Sequence, residues 1–116
     1  MTRNLDWRYH RPGWKSCKRT QEFLAQYNIQ DNVLQITTKD PLIGEAALSI
    51  LEGVSEIFVA KGKKILHFDL EENALTESEL LNLLLGRSGN LRAPTIKTGG
   101  QLLVGYNQEL LETKLL

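Results

Sequence analysis

Leu5 to His10 alternates, with Trp7 and Tyr9 on one side and Asp6, Arg8 and His10 on the other, until Pro12-Gly13 stops it. A period of two is a strand pattern. The period then changes. Between Lys15 and Tyr27, Cys17, Thr20, Leu24 and Tyr27 recur at steps of three and four, so they share one face of a helix, and Phe23 widens that face. Val33 to Thr37 reads as a second strand. A strand, a crossover helix and a second strand leave little topological choice. The two strands run parallel in one sheet, joined by a right-handed connection. This half of the chain is therefore committed to an α/β sheet with helical cover.

The remaining elements are read from their punctuation. Residues 1–4 are expected to be frayed. Asp40 as N-cap and Pro41 at the first helical position start a second helix, with Leu42, Ile43, Ala46, Ala47, Ile50 and Leu51 inward and Gly53 as its stop. Glu56 to Ala60 and Lys64 to Leu70 are two apolar runs about Lys61-Gly62-Lys63, a β-hairpin. Thr76 and Glu79 form a capping box for a leucine-rich helix that ends at Gly86. Leu91 to Lys97 and Gln101 to Tyr106 are strands about Thr98-Gly99-Gly100, and Asn107 caps a last helix to Leu116. With 116 residues and no linker or repeat, residues 1–116 form one domain.

Composition narrows the function classes. Fourteen cations balance fourteen anions, so net charge gives no reason to expect nucleic acid or an acidic membrane surface. No apolar run approaches the ~20 residues that span a bilayer, and the N-terminus lacks the apolar core of a signal peptide. The single cysteine cannot form an internal disulfide and is poor material for a metal site. A reducing cytoplasm is the expected location, with no metal.

Three stretches carry a resemblance: Y-H-R-P-G-W-K-S-C-K-R-T-Q-E-F-L at residues 9–24, T-K-D-P-L at 38–42, and L-R-A-P-T-I with L-V-G-Y-N between 91 and 107. Together they resemble the arsenate reductase/Spx branch of the thioredoxin-like superfamily. The chain is more similar to a group of uncharacterised members, some of them selenoproteins, than to true arsenate reductases. The resemblance implies a thioredoxin-like fold: a four-stranded mixed sheet with helices on both faces and a cis bond at Ala93-Pro94. Residues 56–70 match the branch's usual helical insert poorly and read as an extra hairpin. The resemblance also aligns the family nucleophile with Trp14, giving a degenerate W-x-x-C, and the second cysteine with Cys17. Where arsenate reductases hold their oxyanion with an arginine just before the cis-proline, this chain has Ala93, and alternation turns Arg92 to the opposite face.

Two readings of Cys17 stay open. In the first turn of a helix it feels the positive end of the dipole, with Lys15, Lys18, Arg19, Arg11 and His10 near, a setting that favours thiolate. Thr20 is placed to donate a hydrogen bond to the sulfur. On the other reading Cys17 packs in the apolar face and is inert. Trp14 is either an aromatic floor for a ligand or, the favoured reading, a ring that fills a vacated groove. The groove candidates are Arg11, Trp14, Thr20, Arg92, Ala93, Pro94 and Thr95, with Pro94 and Thr95 the best ligand-facing pair because thioredoxin-like folds seat extended substrates beside the cis-proline. Arg11, Lys15, Lys18 and Arg19 can bind a phosphate, a glutathione carboxylate or an acidic partner, or can be a solvated helix face. The Lys61 to Lys64 run keeps a hairpin tip soluble, and His67 reads as packing or surface.

Two functions follow. The favoured one is a non-catalytic binding or regulatory module with a protein partner, since Spx-like relatives act by binding a subunit of the transcription machinery. The other is a single-cysteine thiol-disulfide or glutathione-linked oxidoreductase using Cys17. The missing nucleophile and clamp argue strongly against arsenate reduction. No cofactor is expected, glutathione being the one small molecule in view.

Overall fold

A computed structural model describes residues 3–116. Its order is β1 (Arg3–Leu5), β2 (Trp7–His10), α1 (Lys15–Gln26), β3 (Ile29–Asp31), β4 (Leu34–Ile36), a 3-10 helix (Gly44–Leu51), β5 (Glu56–Lys61), β6 (Lys64–Asp69), α2 (Glu77–Leu84), β7 (Thr95–Thr98), β8 (Gln101–Val104) and α3 (Gln108–Leu115). The main sheet runs β4-β2-β7-β8-β5-β6, and β1 pairs β3 in a separate two-stranded sheet. The architecture is the expected mixed α/β sheet flanked by helices, a thioredoxin-like fold, with β2 parallel to β4 and the Ala93-Pro94 bond cis.

The sheet is wider than four strands. β4, β2, β7 and β8 form the expected mixed unit, and the β5–β6 hairpin extends it because β5 lies parallel to β8. The hairpin pairs from Glu56↔Asp69 to Lys61↔Lys64, and its alternation continues that of the sheet. Phe58 and Ala60 join Ile96 and Leu103 on the face covered by Phe23 and Leu24 of α1 and Leu110, Leu111 and Leu115 of α3. Ile57 and Val59 join Leu102 and Val104 on the other face, under Ala47 and Ile50 of the 3-10 helix and Leu84 of α2. Turn chemistry fixes the neighbouring register. Gly99 and Gly100, both at positive φ, occupy the two-residue loop closed by Thr98↔Gln101, the geometry that twists a tight hairpin correctly.

Several boundaries move. Met1 and Thr2 lie outside the described residues, but Arg3 and Asn4 are not frayed, since β1 pairs with β3. The run Leu5–His10 breaks at Asp6, whose Oδ2 accepts the Gly99 N–H while its own N–H donates to Lys97 O. Tyr27 caps α1 and is exposed, its ring tilted against Phe23, instead of completing the inward face. Leu91 to Pro94 precede β7 instead of belonging to it. The capping box of α2 and the Asn107 cap of α3 are as expected, with α2 ending two residues short of Gly86.

The largest correction is Asp40-Pro41, which start no helix. Leu42 N–H donates to the buried hydroxyl of Tyr9, Leu42 O accepts from Leu91 N–H, and Gly44 N–H donates to Gly89 O. These backbone groups are committed elsewhere, and Ile43 pairs with Asn90 as an extended residue. The helix that follows is 3-10, with Ile43 as its N-cap, and buries only Ala47 and Ile50 fully. Ile43 and Ala46, expected inward, are exposed.

Among the described residues no helix is long and apolar enough to cross a membrane. The hairpin's place in the sheet gives a stability prediction. Ile57→Ala, at a fully buried site of the insert, is expected to lower unfolding stability by about 2–5 kcal/mol in urea denaturation. An unchanged midpoint would mean that the hairpin is an appendage.

Candidate functional site

Strand β2 delivers two oppositely directed side chains to the base of the site. Tyr9 points to one face and holds Leu42. Arg8 points to the other and is buried, with Nε and Nη2 donating to Asp31 Oδ1 and Oδ2 at 2.8 and 2.9 Å, and Nη1 3.2 Å from His10 Nδ1. A paired, bidentate guanidinium is the form in which a charge tolerates such burial. Burial and the Arg8 charge together hold His10 below its ordinary pKa.

After β2 the chain turns through Pro12-Gly13 into α1, which has no side-chain cap at Trp14. Cys17 lies in the first turn and is completely buried. Its Sγ accepts a hydrogen bond from Arg11 N–H at 3.4 Å. Burial pushes the thiol above its ordinary value, outweighing the Arg11 N–H and the charges of Arg8 and Arg11, which pull it down. Thr20 does not serve the sulfur, because its hydroxyl donates to Ser16 O at 2.9 Å.

Beside this junction a cleft of about 800 Å³ opens, lined by residues from the β2–α1 turn, the 86–93 segment, the end of β8 and the hairpin. Of the groove candidates, Arg11, Trp14, Arg92 and Ala93 line it. Cys17, Thr20, Pro94 and Thr95 do not. Pro94 and Thr95 are buried, and the Thr95 hydroxyl donates to Arg92 O, so they are not the ligand-facing pair. Trp14 does not fill the groove. It is 48% exposed, with the Arg11 guanidinium 4.0 Å above its ring. It also lines a shallower groove with His10, Lys15 and Lys18, so it stands as a ridge that separates Arg11 from those lysines.

Arg92 is the other correction. Residues 91–94 are not strand, so alternation does not apply and Arg92 shares the cleft with Ala93. Its Nη2 donates to Ala60 O at 3.1 Å, and burial lowers its pKa. Gly105 makes this possible. A Cβ there would come within 3.0 Å of Arg92 Nη2 and 3.3 Å of Ala60 O, and its φ of +86° is a glycine conformation. The hairpin insert therefore supplies a wall of the cleft and the acceptor that orients Arg92.

Arg87 and Asn90 line the cleft too, and the sequence reading passed over both. Their signal was the short run Arg87-Ser88-Gly89-Asn90-Leu91-Arg92. Gly86 and Asn90 close it by an N–H to carbonyl bond, which brings both arginines to one end of the sheet. His67 lies away from the cleft, bonded to Glu56 and stacked on Phe58, whose ring also meets Lys114. Among the described residues no cluster of histidine, cysteine and carboxylates has the makings of a metal site.

Comparison with known proteins agrees with this architecture. The model of the ArsC family matches residues 9–113. The regulatory protein MgsR of Bacillus subtilis (strain 168) is 30% identical over 108 residues, covering 90% of this chain and 86% of that protein. The global transcriptional regulator Spx 1 of Oceanobacillus iheyensis is 30% identical over 105 residues, 87% of this chain and 79% of the relative. Spx of Streptococcus mutans is 26% identical over 102 residues, 84% and 74% of the two chains.

Burial of Cys17 has two measurable consequences. Alkylation of the native protein is expected to be on the order of 100-fold slower than in denaturant, and a native rate equal to that of free cysteine would contradict the burial. Stability should also depend on pH with two signs. Below the ordinary histidine value of 6.5 the unfolded chain binds the proton that half-buried His10 resists, so its contribution is full above 6.5 and declines as pH falls. Above the ordinary thiol value of 9.0 the unfolded chain releases the proton that folded Cys17 retains, so stability falls as pH rises further. Urea midpoints across pH should thus show a plateau between these values; midpoints still rising above 9.0 would contradict it.

Proposed function

The chain belongs to the ArsC family, and we propose that it acts there as a non-catalytic binding or regulatory module. In this reading Trp14 occupies the position of the family nucleophile, and an indole has no electron pair to attack arsenic or a disulfide. The observation that carries the reading is the complete burial of Cys17, the chain's one thiol. A thiol that is inaccessible and held protonated is neither a nucleophile nor a target for glutathione. Beside it the cleft with Arg11, Trp14, Arg92 and Ala93 remains open, a shape suited to a protein segment. The relatives named as regulators support the regulatory side of the proposal. Its place of work is the cytoplasm, where a lone cysteine stays reduced.

The competing reading, a single-cysteine oxidoreductase with glutathione as its thiol partner, requires Cys17 to open to solvent. Ala93, where arsenate reductases carry their clamp, weighs against arsenate as substrate. The decisive experiment is complementation of a strain lacking this protein. A Cys17→Ala allele is expected to restore wild-type transcript levels and Trp14→Ala to fail, while the purified protein turns over neither arsenate nor a glutathione mixed disulfide. Loss of function in a folded Cys17→Ala protein, accompanied by thiol turnover in the wild type, would overturn the proposal.

A further inference from the structure

We infer that the cleft takes an extended, carboxylate-rich segment of a partner protein, gripped by Arg11, Arg87 and Arg92. This rests on the reading of the cleft as a binding surface and adds the chemistry of what binds.

The charge arrangement is the first argument. Three arginines line the cleft and no acidic residue does, although the chain carries as many acids as bases. The excess is therefore placed locally and is not a consequence of composition. Among the described residues none of the three arginines has an ion-pair partner, the one arginine–carboxylate pair being Arg8–Asp31. Arg92 is half-buried, with a single backbone acceptor at Ala60 O. A desolvated guanidinium has five donors in a planar fork, and a carboxylate satisfies two of them at once. The chain leaves that fork facing a cleft.

Shape and surroundings favour a peptide over a free oxyanion. At about 800 Å³ the cleft lies in the upper part of the ~300–1,000 Å³ range of sites that enclose multi-atom ligands, whereas a tetrahedral anion occupies one corner. The Arg11 guanidinium sits 4.0 Å over the Trp14 ring, so the exposed part of the ring offers apolar contact beside a charged edge, a pairing that suits the stem and head of an acidic side chain.

The test uses the full chain and a fluorescein-labelled hexaglutamate peptide, followed by fluorescence anisotropy at fixed ionic strength, with hexaglutamine as control. Saturable binding of hexaglutamate alone is expected. Arg87→Gln and Arg92→Gln should each weaken it about tenfold, and Arg19→Gln and Lys63→Gln, which alter exposed cations outside the cleft, should leave it unchanged. Because Arg92 is tied to Ala60, exposed Arg87 decides the matter where Arg92→Gln fails to fold. Three results overturn the inference: no saturable binding, equal loss in all four variants, or displacement by inorganic phosphate at matched ionic strength, which would mark a small-anion site. Self-association abolished by Glu71→Gln with Glu72→Gln, which neutralise an exposed acidic pair just after β6, would also overturn it, by making a second copy the occupant. Failure here with an inert thiol leaves the regulatory reading standing, whereas thiol turnover with hexaglutamate binding intact sinks that reading alone.

Discussion

Arg8 and Tyr9, neighbours on β2, bury opposite faces of the sheet, and the arrangement of the molecule around them follows from that alternation. Tyr9 is fully buried and presents its hydroxyl to Leu42 N–H, which keeps residues 41–43 extended against residues 89–91. That pairing builds one side of the cleft. Arg8 is locked bidentately to Asp31 on β3 and touches His10, which ties the small β1–β3 sheet to the main one beneath the start of α1. A one-residue slip in β2 would bury neither group with its partner.

The same junction decides what the sulfur does. A thiol in the first turn of a helix, surrounded by cations, is the setting in which catalytic cysteines are activated. Here the outcome is reversed by burial, since desolvation exceeds the sum of the nearby favourable charges and the Arg11 N–H bond. Proximity in sequence misleads because Lys15, Lys18 and Arg19 are exposed and interact through water, where the charge–charge attraction is weak. The open, charged part of the site has moved away from the sulfur to Arg87 and Arg92, with the hairpin insert supporting the latter through Ala60 O.

Much of the fold was legible in the sequence. The alternation of β2, the helical step of α1, the capping box at Thr76 and Glu79 and the glycine pair at 99–100 are local signals, and tertiary contacts reinforce each of them. The Asp40-Pro41 helix start was equally strong locally and failed, because the buried Tyr9 hydroxyl, distant in sequence, competes for the same backbone. The site was less legible. Arg11, Trp14, Arg92 and Ala93 were found, although strand alternation, extended into a segment that is not strand, turned Arg92 to the opposite face; Pro94 and Thr95 face inward. Buried Arg8 was invisible for a related reason, since nothing near it in sequence announces Asp31 as its partner.

The central claim is that this chain presents a charged cleft and withholds its sulfur. The most direct measurement is the ultraviolet absorbance of thiolate in the folded wild type, titrated with base and corrected with Cys17→Ala. The account predicts no thiolate signal until pH exceeds the ordinary thiol value of 9.0. A thiolate that forms near neutral pH in the folded protein would contradict it and return Cys17 to the centre of the function.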